Sequence, residues 1–301
     1  MNGEQQLLTD AASFAMFIHQ VRPRIEDALK QCLPVARTGG NFIFNEALHN
    51  AIFPGGRRLR AVLALLASDL VLASDDDALT AAVAVEYLHA SALIFDDLPA
   101  MDDARERRGS ACLHLRYGEG LAIVVALALM NAASNLVVSR AARDTAASHR
   151  ALHELTECVA AQITGQAADL TPATTRTSQE GPGEASMRHW KTSALLRLAL
   201  TLGPILSSAK PSDVAALSRF GQLLGEAYQT VDDSRDIDED TALLHRGREA
   251  TFAMRSGCQS ARELASCLTA EAQRGLIRKF GDLPAVYRLC DFAHSLIGYS
   301  M

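Results

Sequence analysis

An all-α fold is predicted by three features of this 301-residue sequence. Apolar residues recur with helical spacing along nearly the whole chain, and no stretch alternates apolar and polar residues as a half-buried strand would. Hydrophobic residues make up 49% of the chain but aromatic residues only 5%. The core must therefore be built from Ala, Leu and Val, which suits helix packed on helix.

Helices are expected over residues 5–36, 41–53, 57–72, 77–97, 111–117, 120–141, 148–169, 185–206, 212–236 and 251–269, with a last one near 283–297. The breaks fall at Gly39-Gly40, Pro54-Gly55-Gly56, Ser74 to Asp77, Pro99, Gly118, the loop from Thr171 to Ala185, and Lys210-Pro211-Ser212. No linker of distinct composition divides the chain, so residues 1–301 read as one domain. Ser74 or Asp77 is the candidate N-cap of the helix that ends at Phe95-Asp96-Asp97, where Pro99 forbids continuation.

A formal net charge of -6 argues against a nucleic-acid partner, which calls for a basic surface. An anionic substrate would need local cationic pockets. The six cysteines (Cys32, Cys112, Cys158, Cys258, Cys267, Cys290) lack metal-like or paired spacing, which implies free thiols in a reducing, cytoplasmic setting. The first residues lack the charged and apolar blocks of a secretory signal. The run Leu121 to Val138 approaches membrane length but carries Asn131, Ser134 and Asn135, so a central buried helix is expected there rather than a membrane span.

Chemistry concentrates in two acidic clusters. The first is Asp96-Asp97-Leu98-Pro99-Ala100-Met101-Asp102-Asp103, trailed by Arg105, Arg107 and Arg108; the second is Asp232-Asp233-Ser234-Arg235-Asp236. Asp232 and Asp236 are one helical turn apart and share a face. Acids at a helix C-terminus oppose the macrodipole, which suggests a bound cation. Carboxylates without nearby His or Cys ligands suit magnesium, which shares its coordination sphere with substrate phosphates.

With these residues in view, the chain resembles the trans-isoprenyl diphosphate synthase family. DDLPAMDDARERRG and YQTVDDSRD resemble its two aspartate-rich motifs, and GGRRLR resembles its isopentenyl diphosphate motif. His89, Gly165-Gln166 with Asp169, Lys191-Thr192 and Gln229 fall in register with them. The resemblance implies a single-domain antiparallel helical bundle around a deep apolar cavity, a homodimer, and condensation of isopentenyl diphosphate with an allylic diphosphate (dimethylallyl, geranyl or farnesyl). It implies that Asp96, Asp102, Asp232 and Asp236 hold magnesium, three ions in all, with Asp97 and Asp233 in support. Arg107, Lys191, Thr192 and Gln229 would contact the allylic diphosphate. Arg57, Arg60, His89 and Arg108 would hold isopentenyl diphosphate.

Ser91 and Ala92 lie about one turn below Asp96. Small residues there let a growing tail pass. In the resembled family, bulk near this point favours C15, so the small pair points to a C20 product, with Leu88 or Tyr87 and the facing segment Leu121 to Met130 as candidate floors. A farnesyl (C15) synthase is the alternative. Other rivals are a terpene cyclase or head-to-head synthase, which would not need GGRRLR with His89 and Arg108, and a silent partner subunit, which would be expected to lack acids in one motif.

The chain departs from the family in three places. Arg57 replaces the usual lysine, no lysine follows Asp236 before Lys279, and the basic C-terminal tail is missing. Arg246 or Arg248 is a candidate substitute for the absent lysine.

Overall fold

The computed structural model describes residues 3–36, 42–53, 55–170, 184–235, 254 and 256–298. The order is α1 (Gly3–Gln31), α2 (Phe42–Ile52), α3 (Leu59–Leu70), α4 (Asp75–Asp96), β1 (Glu106–Arg107), β2 (Ser110–Ala111), α5 (Leu113–Tyr117), α6 (Glu119–Val138), α7 (Thr145–Leu170), α8 (Glu184–Leu206), α9 (Pro211–Arg235), α10 (Cys258–Phe280) and α11 (Pro284–Gly298). The all-α expectation holds. One departure is a two-residue antiparallel ribbon pairing Glu106 with Ala111 and Arg107 with Ser110. The reversal at Arg108-Gly109, both at positive φ, is too short to leave a strand-like pattern in the sequence. Of the helix expected over 251–269, the part from Cys258 onward belongs to α10, which starts after Gly257 (φ 85°) and runs on to Phe280, where Gly281 follows it. Residues 251–253 and 255 lie outside the described residues.

Helix α4 is the axis of the molecule and packs against α3, α6 and α8. Ser74 is its N-cap and accepts a hydrogen bond from the Asp77 amide at 3.2 Å. Asp75, Asp76 and Asp77 fill the first turn, where the helix dipole favours acids. Arg140 clamps Asp76 and Asp77 at 2.6 and 2.9 Å. From Ala78 onward α4 is mostly buried, and its alanines (Ala81, Ala82, Ala84) let neighbouring helices approach closely.

Helices α3 and α8 are drawn together where Gly203 meets Ser68, and α8 and α9 where Gly221 and Gly225 meet Arg197 and Ser193. A Cβ on Gly225 would lie 2.6 Å from the Ser193 Cα, and one on Gly221 would lie 2.9 Å from the Arg197 Cα. These contacts are with backbone, so a side chain could be accommodated only by separating the helices.

Helix α6 corrects one expectation. It is long and apolar enough to cross a membrane, as is α4, and it was expected to be centrally buried. Only one face is. Ala122, Val125, Ala126 and Leu129 face the core, while Ile123, Val124 and Leu127 are exposed.

Gly225→Ala is expected to cost about 1–3 kcal/mol through forced separation of α8 and α9, measurable by denaturant unfolding. An unchanged midpoint would show that the helix pair can relax freely.

Candidate active site

Two cavities flank α4. The first, about 410 Å³, is almost wholly apolar and is walled by Leu88, Ser91, Ala92, Phe95 and Asp96 of α4, by Met130 of α6, and by α7 residues that include Gln166. The second, about 110 Å³, is polar and holds Arg58, Glu86, His89, Asp97, Arg107 and Arg108. On a helical wheel these lining sets occupy largely opposite faces of α4, with His89 and Asp96 on the seam between them. A third cleft of about 470 Å³, on the outside between α7, α8 and α9, contains none of the predicted site residues.

The apolar cavity gathers the predicted tail-limiting residues Leu88, Ser91 and Ala92 beneath Asp96. Tyr87 is not a floor. It is fully buried on another face, where its hydroxyl donates to the Leu29 carbonyl at 2.7 Å and anchors α1 to α4. Of the expected segment Leu121 to Met130, only Met130 reaches the cavity. Phe95 and Met101 also line it. Their place just beside the acidic residues was readable from the sequence, but their direction was not.

After α4 the chain turns at Pro99, and the Asp102 amide donates to the Asp96 carbonyl at 2.9 Å. That bond keeps Asp96, half-buried, and Asp102, exposed, at the same end of α4. Oxygen-only donors of this kind fit magnesium, although among the described residues no three His, Cys, Asp or Glu side chains already converge as ligands. Asp232 is half-buried near the end of α9. Asp236, and the side chains of Lys191, Thr192 and Asp233, lie outside the described residues.

Asp97 is 5% exposed and faces the polar cavity. Arg107 grips it through Nε at 2.8 and 2.9 Å from the two carboxylate oxygens and through Nη2 at 2.5 Å. This bond raises the Arg107 pKa and fastens the β1–β2 ribbon to the end of α4. In this state Arg107 is thus committed to Asp97. The Cys112 thiol, buried and close to Asp97, is pushed up to about 11 and is inert as a nucleophile at neutral pH.

The motif GGRRLR divides its arginines. Arg57 is exposed, while Arg60 places Nη1 3.0 Å from His89 Nε2. An arginine can only donate, so His89 Nε2 accepts and its proton resides on Nδ1. Burial, together with Arg60, Arg108, Arg107 and Arg58, holds the His89 pKa well below the usual imidazole range. The Arg60 Nε is buried without a protein partner. Burial also lowers the pKa of Arg60 and Arg108.

The residue that sequence reasoning missed is Arg58. It is 5% exposed and adopts φ 56°, ψ 30° at the N-cap of α3. A positive φ in a non-glycine residue and its burial both depend on tertiary surroundings, so the only available signal was its place within the motif.

An all-helical bundle with an apolar chamber and a cationic chamber on either side of an acid-tipped helix fits the isoprenoid synthase class. The comparisons agree. The polyprenyl synthetase family profile matches residues 41–250. A geranylgeranyl diphosphate synthase from Pantoea ananas is 36% identical over 226 residues, covering 74% of this chain and 74% of that one. Geranylgeranyl pyrophosphate synthase 10 (mitochondrial) from Arabidopsis thaliana is 30% identical over 285 residues, covering 90% of this chain and 82% of that one. Among solved structures, a geranyltransferase from Legionella pneumophila has a TM-score of 0.82 at 25% identity, covering 96% of this chain and 98% of that one. An FPP/GFPP synthase from Zymomonas mobilis has a TM-score of 0.76 at 26% identity, covering 94% and 98%. The chain belongs to the polyprenyl synthetase family.

Because the folded-state pKa of His89 lies below its unfolded value, the unfolded chain binds more protons as pH falls below about 6.5, and stability is lost in that window. Wild type should therefore lose more stability than His89→Gln between about pH 7.5 and 5.5, by up to about 1.4 kcal/mol per pH unit. Equal losses in urea unfolding would show that His89 titrates as a free imidazole.

Proposed function

We propose that this protein is a magnesium-dependent geranylgeranyl diphosphate synthase, which extends an allylic diphosphate with isopentenyl diphosphate to C20. The observation that carries this reading is the placing of an apolar chamber and a cationic chamber on two sides of α4, with His89 and Asp96 at their seam. One substrate must present a growing hydrocarbon and the other a diphosphate, and the two must meet at one edge.

Asp96, Asp102, Asp232 and Asp236 would hold the metal, in the number of three ions implied by the family resemblance, with Lys191, Thr192 and Gln229 on the allylic diphosphate. Magnesium, when bound, supplies charge neutralisation to the departing diphosphate. The chain's own part is orientation and the exclusion of water. Leu88, Ala92 and Phe95 keep the allylic tail dry, so that a carbocation formed at its head is not quenched. Arg60, His89 and Arg108 hold isopentenyl diphosphate with its double bond facing the seam, which makes the attack effectively intramolecular. Arg107, paired with Asp97 at the edge of the polar cavity, would have to release Asp97 in order to contact the allylic diphosphate. The proton lost from the new chain passes to the released diphosphate.

The C20 assignment rests on Ser91 and Ala92, the small residues in the chamber wall, and on the relatives named geranylgeranyl diphosphate synthases. A homodimer is favoured by the exposed apolar face of α6, where Val124 and Leu127 are 50% and 48% exposed. Its setting is the cytoplasm, as six unpaired cysteines suggest.

Incubation with labelled isopentenyl diphosphate, C5, C10 or C15 starters and magnesium should yield C20 after hydrolysis and chromatography. Asp96→Ala or Asp232→Ala should abolish turnover, by at least about 10³-fold, with circular dichroism nearly unchanged; retained activity would remove the metal roles. Ser91→Phe should shift the product toward C15, and an unaltered profile would exclude Ser91 as a length determinant.

A further inference from the structure

Arg58 is held by four hydrogen bonds from three neighbouring segments, and none of the roles assigned above uses it. Its Nε and Nη2 each lie 3.0 Å from an oxygen of Glu26 on α1, its Nη1 lies 3.2 Å from Glu86 Oε2 on α4, and its Nη2 also donates to the Ile52 carbonyl at the end of α2 at 2.8 Å. Those bonds occupy most of the donors of a guanidinium. Although Arg58 borders the polar cavity, it therefore has little left with which to bind a substrate. Glu86 completes the junction, since its Oε1 accepts from the Ala61 amide in the first turn of α3 at 3.3 Å.

The result is a two-point latch between α3 and α4. Glu86 and His89 stand three residues apart on α4 and share a face. Glu86 holds the start of α3 through Arg58 and the Ala61 amide, and His89 meets Arg60, two residues beyond Arg58. The glycines before them belong to the same construction. A Cβ on Gly55 would lie 2.0 Å from the Arg58 guanidinium carbon, and one on Gly56 would lie 2.9 Å from that of Arg108. The paired glycines are the floor on which two guanidinium groups rest, one locked and one facing the cavity.

We propose that Arg58 is a positioning residue for isopentenyl diphosphate. By bridging Glu26, Glu86 and the end of α2 it fixes the Gly55–Arg60 segment so that Arg60, His89 and Arg108 form the anion pocket before substrate arrives. This rests on the polar cavity being the isopentenyl diphosphate site. A lysine cannot reproduce the fork, because a single ammonium cannot face two carboxylates and a carbonyl in one plane.

The test is calorimetric titration of wild type and variants with isopentenyl diphosphate alone, accompanied by KM for both substrates and thermal unfolding. Arg58→Lys should weaken isopentenyl diphosphate binding, and raise its KM, by at least about ten-fold, with KM for the allylic substrate changed by less than about two-fold. Glu26→Gln is the milder variant, since it leaves the Glu86 contact intact, and should raise the isopentenyl diphosphate KM by about three-fold. Arg140→Lys, which weakens a similar ion cluster at the opposite end of α4, is the stability control and should lower Tm with both KM values unmoved. The proposal is overturned if Arg58→Lys and Glu26→Gln lower Tm as Arg140→Lys does but leave isopentenyl diphosphate affinity unchanged, or if both substrates weaken equally. A wild type that binds isopentenyl diphosphate but forms no longer chain would overturn the synthase reading instead, and the binding ratio would still decide the role of Arg58.

Discussion

The buried helix α4 ends in two carboxylates that face different ways, and most of the site depends on that fact. Asp96 borders the apolar chamber, while Asp97 is drawn to the polar side by a bidentate bond with Arg107. Adjacent residues on a helix point about 100° apart, so one Asp-Asp pair can serve two compartments. This works only because α4 is enclosed by α3, α6 and α8, which fix its rotation and its end point.

Charge is managed differently in the two chambers. The apolar chamber has few polar groups besides Ser91, Asp96, Gln162 and Gln166, so metal and diphosphate would bring their own charges to its mouth. The polar chamber contains Arg58, Arg107, Arg108 and His89 beside Glu86 and Asp97. A buried charge left without a partner would be costly, and Glu86 is bonded to the buried Arg58 and the buried Asp97 to the half-exposed Arg107. Burial, together with the surrounding arginines, holds the His89 pKa low, and with Nε2 accepting from Arg60 the remaining ring donor is Nδ1–H.

Several parts of this arrangement were legible in the sequence because they depend on local chemistry. Helical periodicity gave the bundle, the cap candidates Ser74 and Asp77 included the residue that starts α4, Ser74, and Pro99 gave its end. The motif spacing identified Arg60, His89, Arg107 and Arg108, which the fold gathers around one cavity or in direct contact with it. Two differences are of one kind. Of the candidate floors Leu88 and Tyr87, only Leu88 lines the chamber, while the Tyr87 hydroxyl turns to Leu29, and α6, expected as a central buried helix, leaves one face open.

What the sequence by itself determined is the helix content, the acidic clusters and the identity of the cationic motif, because periodicity, caps and residue chemistry act over a few neighbouring positions. Only the tertiary structure decided which face of α4 meets which chamber, that Arg107 is paired with Asp97, and that Arg58 rather than Arg57 is the buried arginine of its motif. The physical reason is that rotation of a helix about its axis, and the partner of a buried charge, are set by residues distant in the chain. Glu26, Glu86 and the Ile52 carbonyl select the conformation of Arg58 together, and none of them is its sequence neighbour.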